Sequence, residues 1–528
     1  MNKSINLIIF LCLWMQAALF AQSEAEFGKI AKSWTLNPDG SQEFRCSQEL
    51  TLFTHTAMNS TYGESFIVYN PNYQELKIHE SYTKQKDGTI IRTPDNAFVE
   101  VLPSLAADAP AFNQLKEMVV VHTGLDLGCT IYLDYSIVTR PGFYPELDLL
   151  ETVQQTSPVK NCTLTISVPA SKPLAYQLTN QSVQPTRRTV DGQQCVEWNL
   201  RNLPALSREA YTPQNKSNIV RLVASTYGSQ AALLQAMQQS WQENVDYEAQ
   251  AFAQYCTENC TNDQAKVDLL SQYLGSRVAN SGVPARWLGY QLRDVDTALR
   301  SAYATNLEKS LLYCSMLNAV EVPAELVVTF PADLSEAACG REAITAYYLK
   351  AEVDGQTRYL SATQKGLLPV EWRGALDRVV TLSGTTLTID PKPMVVEEKK
   401  QVDASQLEAV GGVYVCTLPA AHQGVERLSS LNSQRLQPFE LPSLIQETIT
   451  YEVKAPAGAR LLTPTGNQSV KKPFGELTTQ ITVQGDQVTV KRSIRLDQLS
   501  YSPVAYKELR TLLNVWNDPN QLVLLFGK

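Results

Sequence analysis

The sequence predicts an α+β multidomain protein: a β-sandwich, a middle α+β unit and a second β-sandwich. Three observations lead there. The chain has 528 residues, 44% hydrophobic and 19% charged, which bounds it to a few domains with substantial cores. Strand-like runs separated by turn pairs fill the stretches before residue 215 and after residue 400. Between them, apolar residues recur at helical spacing and then give way to strand again.

The N-terminus reads as a cleaved secretory signal over residues 1–21. Lys3 supplies the positive start. Ile5 to Phe20 is apolar apart from Asn6 and Gln16, and Ala-Leu-Phe-Ala ends at Ala21. The run is short for a membrane anchor, and no later segment is long and apolar enough to span a bilayer, so no transmembrane segment is expected after cleavage. The destination this implies is the periplasm or cell envelope of a Gram-negative bacterium. A net charge of −8, with no basic stripe, argues against a nucleic-acid partner. Nine cysteines remain after cleavage, an odd and scattered set that is not a disulfide framework. Cys256 and Cys260 read equally as a disulfide or as two free thiols.

The first β unit spans 26–215. Thr130–Ile137 and Cys162–Val168 are strand-like, and Asp87-Gly88 and Asp191-Gly192 are hairpin turns. The middle unit spans 218–388. Leu233, Met237 and Trp241 share a helical face, as do Val267, Leu270 and Leu274, and then Leu307, Leu311 and Cys314. Thr305 with Glu308 has the spacing of a capping box, and Asn306 is an equally good cap. Glu325–Phe330 is a strand, and Ala346–Val353 with Thr357–Leu360 is a hairpin around Asp354-Gly355. Asp390–Pro393 and the mixed charges Glu397–Lys400 read as a linker, and the second β unit covers 400–528. The two β units carry similar landmarks. Asn180-Gln-Ser-Val answers Asn467-Gln-Ser-Val, Asp191-Gly192 answers Gly485-Asp486, and Tyr211 answers Tyr506, as either a shared plan or chance.

The segment Leu299–Leu312 resembles a pattern of secreted bacterial proteins with a transglutaminase-like core. There an arginine-rich lead precedes Gly-Asp-Cys-Lys-Asp-Lys-Ser/Ala and an apolar helix. The family's cysteine starts the helix because free N–H groups and the dipole favour the thiolate. Matched residue by residue, Ala304 stands for the glycine, Thr305 for the aspartate and Asn306 for the cysteine, with Lys309 and Ser310 kept. The family's second motif is a strand opening with histidine, a hairpin, and Tyr-Trp-Leu-Asp-Ala-Thr. Ala346–Thr363 is similar to it, with Ala346 at the histidine and Ser361 at the aspartate. The resemblance implies a papain/transglutaminase-like α+β core whose triad positions hold Asn306, Ala346 and Ser361, with no catalytic residue. Asn306 is then expected to cap the helix. Weaker similarity extends to both flanking β units.

One check is independent of alignment. The chain has four histidines, His55, His79, His122 and His422, and none lies between residues 123 and 421. A cysteine–histidine pair local to the middle unit is therefore absent at any register. A competing register takes Gly282–Tyr290 for the family's Gly-Ile-Pro-Ala-Arg segment and makes Cys260 the nucleophile. It leaves the Leu299–Leu312 match unexplained. There is no phosphate loop, CxxC pair, HExxH run or nucleophile elbow, and no metal or other cofactor is expected.

These readings favour a catalytically inactive protein that binds or scaffolds peptide, protein or glycan, with Trp287, Tyr290, Tyr347 and Tyr348 as candidate cleft residues or as ordinary packing. The alternatives are a cysteine-dependent amidase or transglutaminase-like enzyme with non-standard residues, and a purely structural module.

Overall fold

The computed structural model of the chain describes residues 23–241, 245–363, 370–373, 376–420, 424–428 and 431–528. The segment 1–21 that reads as a signal, and His422, lie outside them.

The first unit contains β1 (Ala25–Leu36), β2 (Gln42–Leu52), β3 (Glu64–Tyr69), β4 (Gln74–Lys84), β5 (Ile90–Arg92), β6 (Phe98–Val101), β7 (Lys116–Val121), β8 (Thr130–Thr139), β9 (Asp148–Thr152), β10 (Val159–Pro169), β11 (Ala175–Leu178), β12 (Thr186–Val190), β13 (Gln193–Leu203) and β14 (Arg221–Ser225). They form an eight-stranded sheet, β12-β13-β10-β1-β2-β8-β4-β5, and two three-stranded sheets, β11-β14-β9 and β3-β7-β6. Alternation sets the packing. In β10, Cys162, Leu164, Ile166 and Val168 are buried and the residues between them are not. Those four share one core with Leu222 and Ala224 of β14, so a small sheet closes over the large one. Asp191 (φ 50°) and Gly192 (φ 75°) make the tight turn between β12 and β13.

The boundary between 215 and 218 needs correcting. All five residues of β14 are buried, and they pair with β9 on one side and β11 on the other, so the first unit continues to Ser225. A strand covered on both faces shows no alternation, which is why its sequence carried no strand signal.

In the middle unit, helices α1 (Gln230–Gln239), α2 (Tyr247–Thr257), α3 (Asp263–Arg277), α4 (Val295–Ser301) and α5 (Asn306–Ala319) precede an antiparallel sheet. Its main strands are β15 (Ala324–Pro331), β16 (Ala346–Val353), β17 (Gln356–Leu360) and β18 (Asp377–Thr381), in the order β17-β16-β15-β18. α5 is the central helix. α2, α3 and α4 pack around it and β15 and β16 lie against it. Leu312, Tyr313, Met316 and Leu317 fill the space between, and the 307/311/314 stripe is only one side of a helix enclosed nearly all round. α2 and α4 had no expectation from sequence. Trp241 lies two residues beyond the end of α1.

The second β unit contains β19 (Pro393–Asp403), β20 (Val413–Thr417), β21 (Leu444–Lys454), β22 (Arg460–Leu461), β23 (Gly466–Lys472), β24 (Gly475–Gln484), β25 (Gln487–Leu496) and β26 (Val523–Gly527), with α6 (Pro503–Trp516) between the last two strands. Two features correct the sequence reading. The charged run Glu397–Lys400 is strand, not linker: β19 is an edge strand paired in parallel with β21 along all its length. Only Val396 of β19 is buried and every second residue from Val395 on is exposed, so the strand carries charge where a covered strand would be apolar, as edge strands do. The unit is also not all β. Tyr506, Leu509, Leu512, Leu513 and Trp516 put one face of α6 into the core, and Ser502 caps it ahead of Pro503.

The two β units share a plan. In the first, β1 runs parallel to β10, which is antiparallel to β13, while β14 sits between β9 and β11. In the second, β19 runs parallel to β21, which is antiparallel to β25, while β26 sits between β20 and β22. The matching turns at Asp191-Gly192 and Gly485-Asp486 fall at equivalent hairpins. The Asn-Gln-Ser-Val match does not hold locally, because residues 180–185 are loop and 467–472 are strand.

Candidate functional site

The start of α5 is built by local sequence. Thr305 is extended (φ −65°, ψ 162°), its hydroxyl accepts the N–H of Glu308, and Glu308 Oε2 accepts the N–H of Thr305 at 2.8 Å. Thr305 is therefore the cap. Asn306, expected to cap, is the first helical residue, because the donor it would take is already held by Thr305. Arg293 clamps Glu308 from Nε (3.1 Å) and Nη2 (2.8 Å). Burial alone would raise the Glu308 carboxyl, but the Arg293 side chain and two backbone N–H groups hold it below the usual range. One turn on, the buried Lys309 donates to the Val278 carbonyl (2.7 Å) and Asn280 (2.9 Å), and burial brings its amine down to about 8.

Asn306 opens onto a cavity of about 250 Å³ between α5, the loop 281–292 and the segment 341–347. Met237, Val283, Leu292, Leu307 and Ile344 give it apolar walls, and Tyr290, Arg341, Glu342 and Tyr347 line the rest. Two of the four aromatic candidates are thus brought together. Tyr348, next to Tyr347 on β16, points to the opposite face and packs with Val327, Val370 and Val379. Trp287 packs beside Phe112 and Leu115 of a first-unit loop and lines a different cavity with Trp34 and Tyr144.

The other two positions that the resemblance matches to a triad hold no acid–base group. Ala346 is paired in β16 with Thr329. Ser361 is occupied locally: it accepts the N–H of Thr363 (3.1 Å) and reaches its carbonyl (3.0 Å). Nor does a thiol stand ready. Cys314 Sγ lies 3.3 Å from the Ala324 carbonyl, and burial pushes its thiol up to about 11, as it does for Cys339. Cys256 and Cys260 are free thiols. Cys260 precedes α3, whose first N–H groups are taken by the Asp354 carboxylate at the β16–β17 turn. Among the described histidines, His79 bonds Ser136 and His122 bonds Ser65, and burial brings the His122 ring down to about 4. His55 is exposed. Among the described residues no group of three or more His, Cys, Asp or Glu is placed to hold a metal ion, and no helix is long and apolar enough to cross a membrane.

A buried polar network that the sequence reading missed adjoins the cavity. Asp148, at the start of β9, accepts the N–H groups of Arg341 and Glu342. Its carbonyl accepts from Arg286, and Tyr290 donates to Glu342 at 2.9 Å. Arg286 lies over the Tyr144 ring and Arg341 over the Tyr290 ring. Desolvation, then the nearby Glu342, pushes the Asp148 carboxyl up to about 7. Gly340 is required here: a Cβ would fall 2.1 Å from the Asp148 carboxylate. The only sequence signal was the pairing of Arg286 and Tyr290 in one motif.

The domain family DUF3857, a domain of unknown function with a solved structure, matches residues 38–207, and DUF3858, described in the same way, matches 414–526. A crystal structure of a "putative protease" from Parabacteroides distasonis is 50% identical, with a TM-score of 0.90 over 96% of this chain and 99% of that one. A "putative cysteine protease" from Cytophaga hutchinsonii (11% identity, 46% and 84% of the two chains) has a TM-score of 0.21. An M1 zinc metallopeptidase mutant from Deinococcus radiodurans (12% identity, 38% and 42%) also has a TM-score of 0.21. At that score neither bears on fold or chemistry. No curated protein matches the chain.

Proposed function

We infer that this chain, which belongs to the same family as the Parabacteroides distasonis protein, is an exported, non-catalytic member with a transglutaminase-like middle unit that binds peptide or glycan in the cavity at Asn306. The observation that carries this reading is the residue at the start of α5. A helix N-terminus lined up on a cavity favours a thiolate there, yet the side chain is a carboxamide, which is not a nucleophile toward an acyl carbon. Ala346 and Ser361 supply neither base nor orienting acid. Trp287 and Tyr348 leave the proposed contact set, and Tyr290 and Tyr347 remain. The alternative, an amidase or protease with non-standard residues, draws on the name given to the 50%-identical relative.

Two experiments test the reading. Asn306→Cys, assayed for amide hydrolysis and transamidation on casein and with a thiol-directed activity probe, is expected to give no turnover above the parent protein, because no imidazole activates the new thiol. Turnover by the unmodified chain that vanishes when one cysteine is replaced would instead establish the enzyme. Export is tested by N-terminal sequencing of the mature protein: Gln22 is the expected first residue, and a chain retaining Met1 contradicts it.

A further inference from the structure

The small sheet β3-β7-β6 covers one end of the eight-stranded sheet, and both of its faces are apolar. One face is core: Ile67, Val120 and Met118 pack with Leu133 and Ile137 of β8. Alternation sends the other face to solvent, and the register fixes what stands on it. Phe66 of β3 and Val99 of β6 both lie opposite Val119 of β7. Val68 and Val101 both lie opposite Glu117, and Glu64 lies opposite Val121. A sheet with one solvated face alternates apolar with polar residues, and these three strands do not. Phe66 is 58% exposed, Val99 44% and Val101 41%. Leu102 and Leu105, in the loop that leaves β6, extend the exposed apolar surface. A contiguous apolar patch kept open to water marks a contact surface.

The charges on this face select its occupant. Glu64 and Glu117 are the only charged residues on it, and among the described residues neither is ion-paired. Lys116, the one cation of the three strands, faces the other way with Tyr69 and is paired with Glu100. A second copy of the chain would bury both carboxylates against a face that offers no cation. An anionic membrane would repel them. A basic partner neutralises both, and the element that fits a solvated sheet face is a helix with an apolar stripe.

We propose that the outer face of β3-β7-β6 docks a basic amphipathic helix of a partner protein, its apolar stripe lying on Phe66, Val99 and Val119 and its lysines or arginines reaching Glu64 and Glu117. The surface is separate from the cavity at Asn306, so the proposal does not depend on the function assigned to that cavity.

The test uses the mature full-length protein and two fluorescent amphipathic helical peptides, one built from leucine and lysine and the other from leucine and glutamate, followed by anisotropy at physiological salt. The lysine peptide is expected to bind at least about tenfold more tightly than the glutamate peptide. The double variant Phe66→Thr/Val99→Thr keeps strand propensity and changes only exposed side chains, so it is expected to fold and to weaken the lysine peptide about tenfold. Glu64→Gln combined with Glu117→Gln is expected to weaken the lysine peptide about fivefold and to narrow its preference over the glutamate peptide. Equal binding of the two peptides, or no binding of the lysine peptide at tens of micromolar, overturns the proposal. So does binding that Phe66→Thr/Val99→Thr leaves intact, or an equal loss from Val504→Thr at an exposed valine of α6. A dimer seen by sedimentation that Phe66→Thr/Val99→Thr dissolves would assign the face to a second copy and overturn the proposal as well.

Discussion

Replacing Glu308 with alanine is expected to cost about 3–5 kcal/mol of stability, because it leaves a mostly buried arginine without its partner. The Glu308 side chain is 1% exposed and that of Arg293 13%. One carboxylate accepts Nε and Nη2 of Arg293 together with the backbone N–H groups of Arg293 (3.0 Å) and Thr305 (2.8 Å). All four lose the carboxylate at once in the variant, and Arg293 keeps only its bonds to the Tyr303 carbonyl (2.8 Å) and Ser301 (3.0 Å). Arg293 also stacks over Tyr303 (4.5 Å) and over Phe112 of the first unit (5.2 Å), so its displacement loosens the loop that covers the middle unit. Glu308→Gln keeps one acceptor and the shape and should lose roughly half as much. Chemical denaturation of the three proteins at neutral pH measures this. A loss under about 1 kcal/mol for the alanine variant would mean that the clamp is dispensable.

Asp148 is expected to make the protein less stable as pH rises from about 4 to about 7, the reverse of an ordinary salt-bridged aspartate. Its carboxyl is pushed up from 3.8 to about 7, first by desolvation and then by Glu342, against the opposing effects of Arg286 and two backbone N–H groups. The folded state thus holds a proton that the unfolded chain releases. The stabilisation is complete below the unfolded value and fades as pH climbs through the folded one, by on the order of 4 kcal/mol. Asp148→Asn removes this titration with little change in size. The stability advantage of the parent over the variant should therefore shrink by several kcal/mol between pH 4.5 and pH 8, read from denaturant midpoints. An advantage that stays flat or grows with pH contradicts the assignment. Because Asp148 sits on β9 and its partners lie on the segment 341–342, the loss should appear as loosening between the first and middle units.

Much of the local structure was legible. Thr305-x-x-Glu308 announced the start of α5, and Asp354-Gly355 and Asp191-Gly192 announced their hairpins, because capping and left-handed turn geometry are decided within a few residues. The signal for α6 is equally present, as Ser502-Pro503 followed by a 506/509/513/516 stripe, a cap and a helical period inside an otherwise strand-rich stretch. Other errors have a tertiary cause. β14 is covered on both faces and so lacks alternation, while β19 is an edge whose charges resemble a linker.

From sequence alone came the succession of a β-rich, a helix-containing and a second β-rich stretch, and the lack of any imidazole between residues 123 and 421, since folding cannot supply a side chain that the segment does not contain. Only the tertiary structure decided which groups share a cavity and which are desolvated: Tyr347 but not Tyr348, Arg341 beside Asn306, and Asp148 against a backbone nearly two hundred residues away. Desolvation and electrostatic coupling depend on what covers a group, and its cover here comes from distant parts of the chain that short-range pattern does not reach.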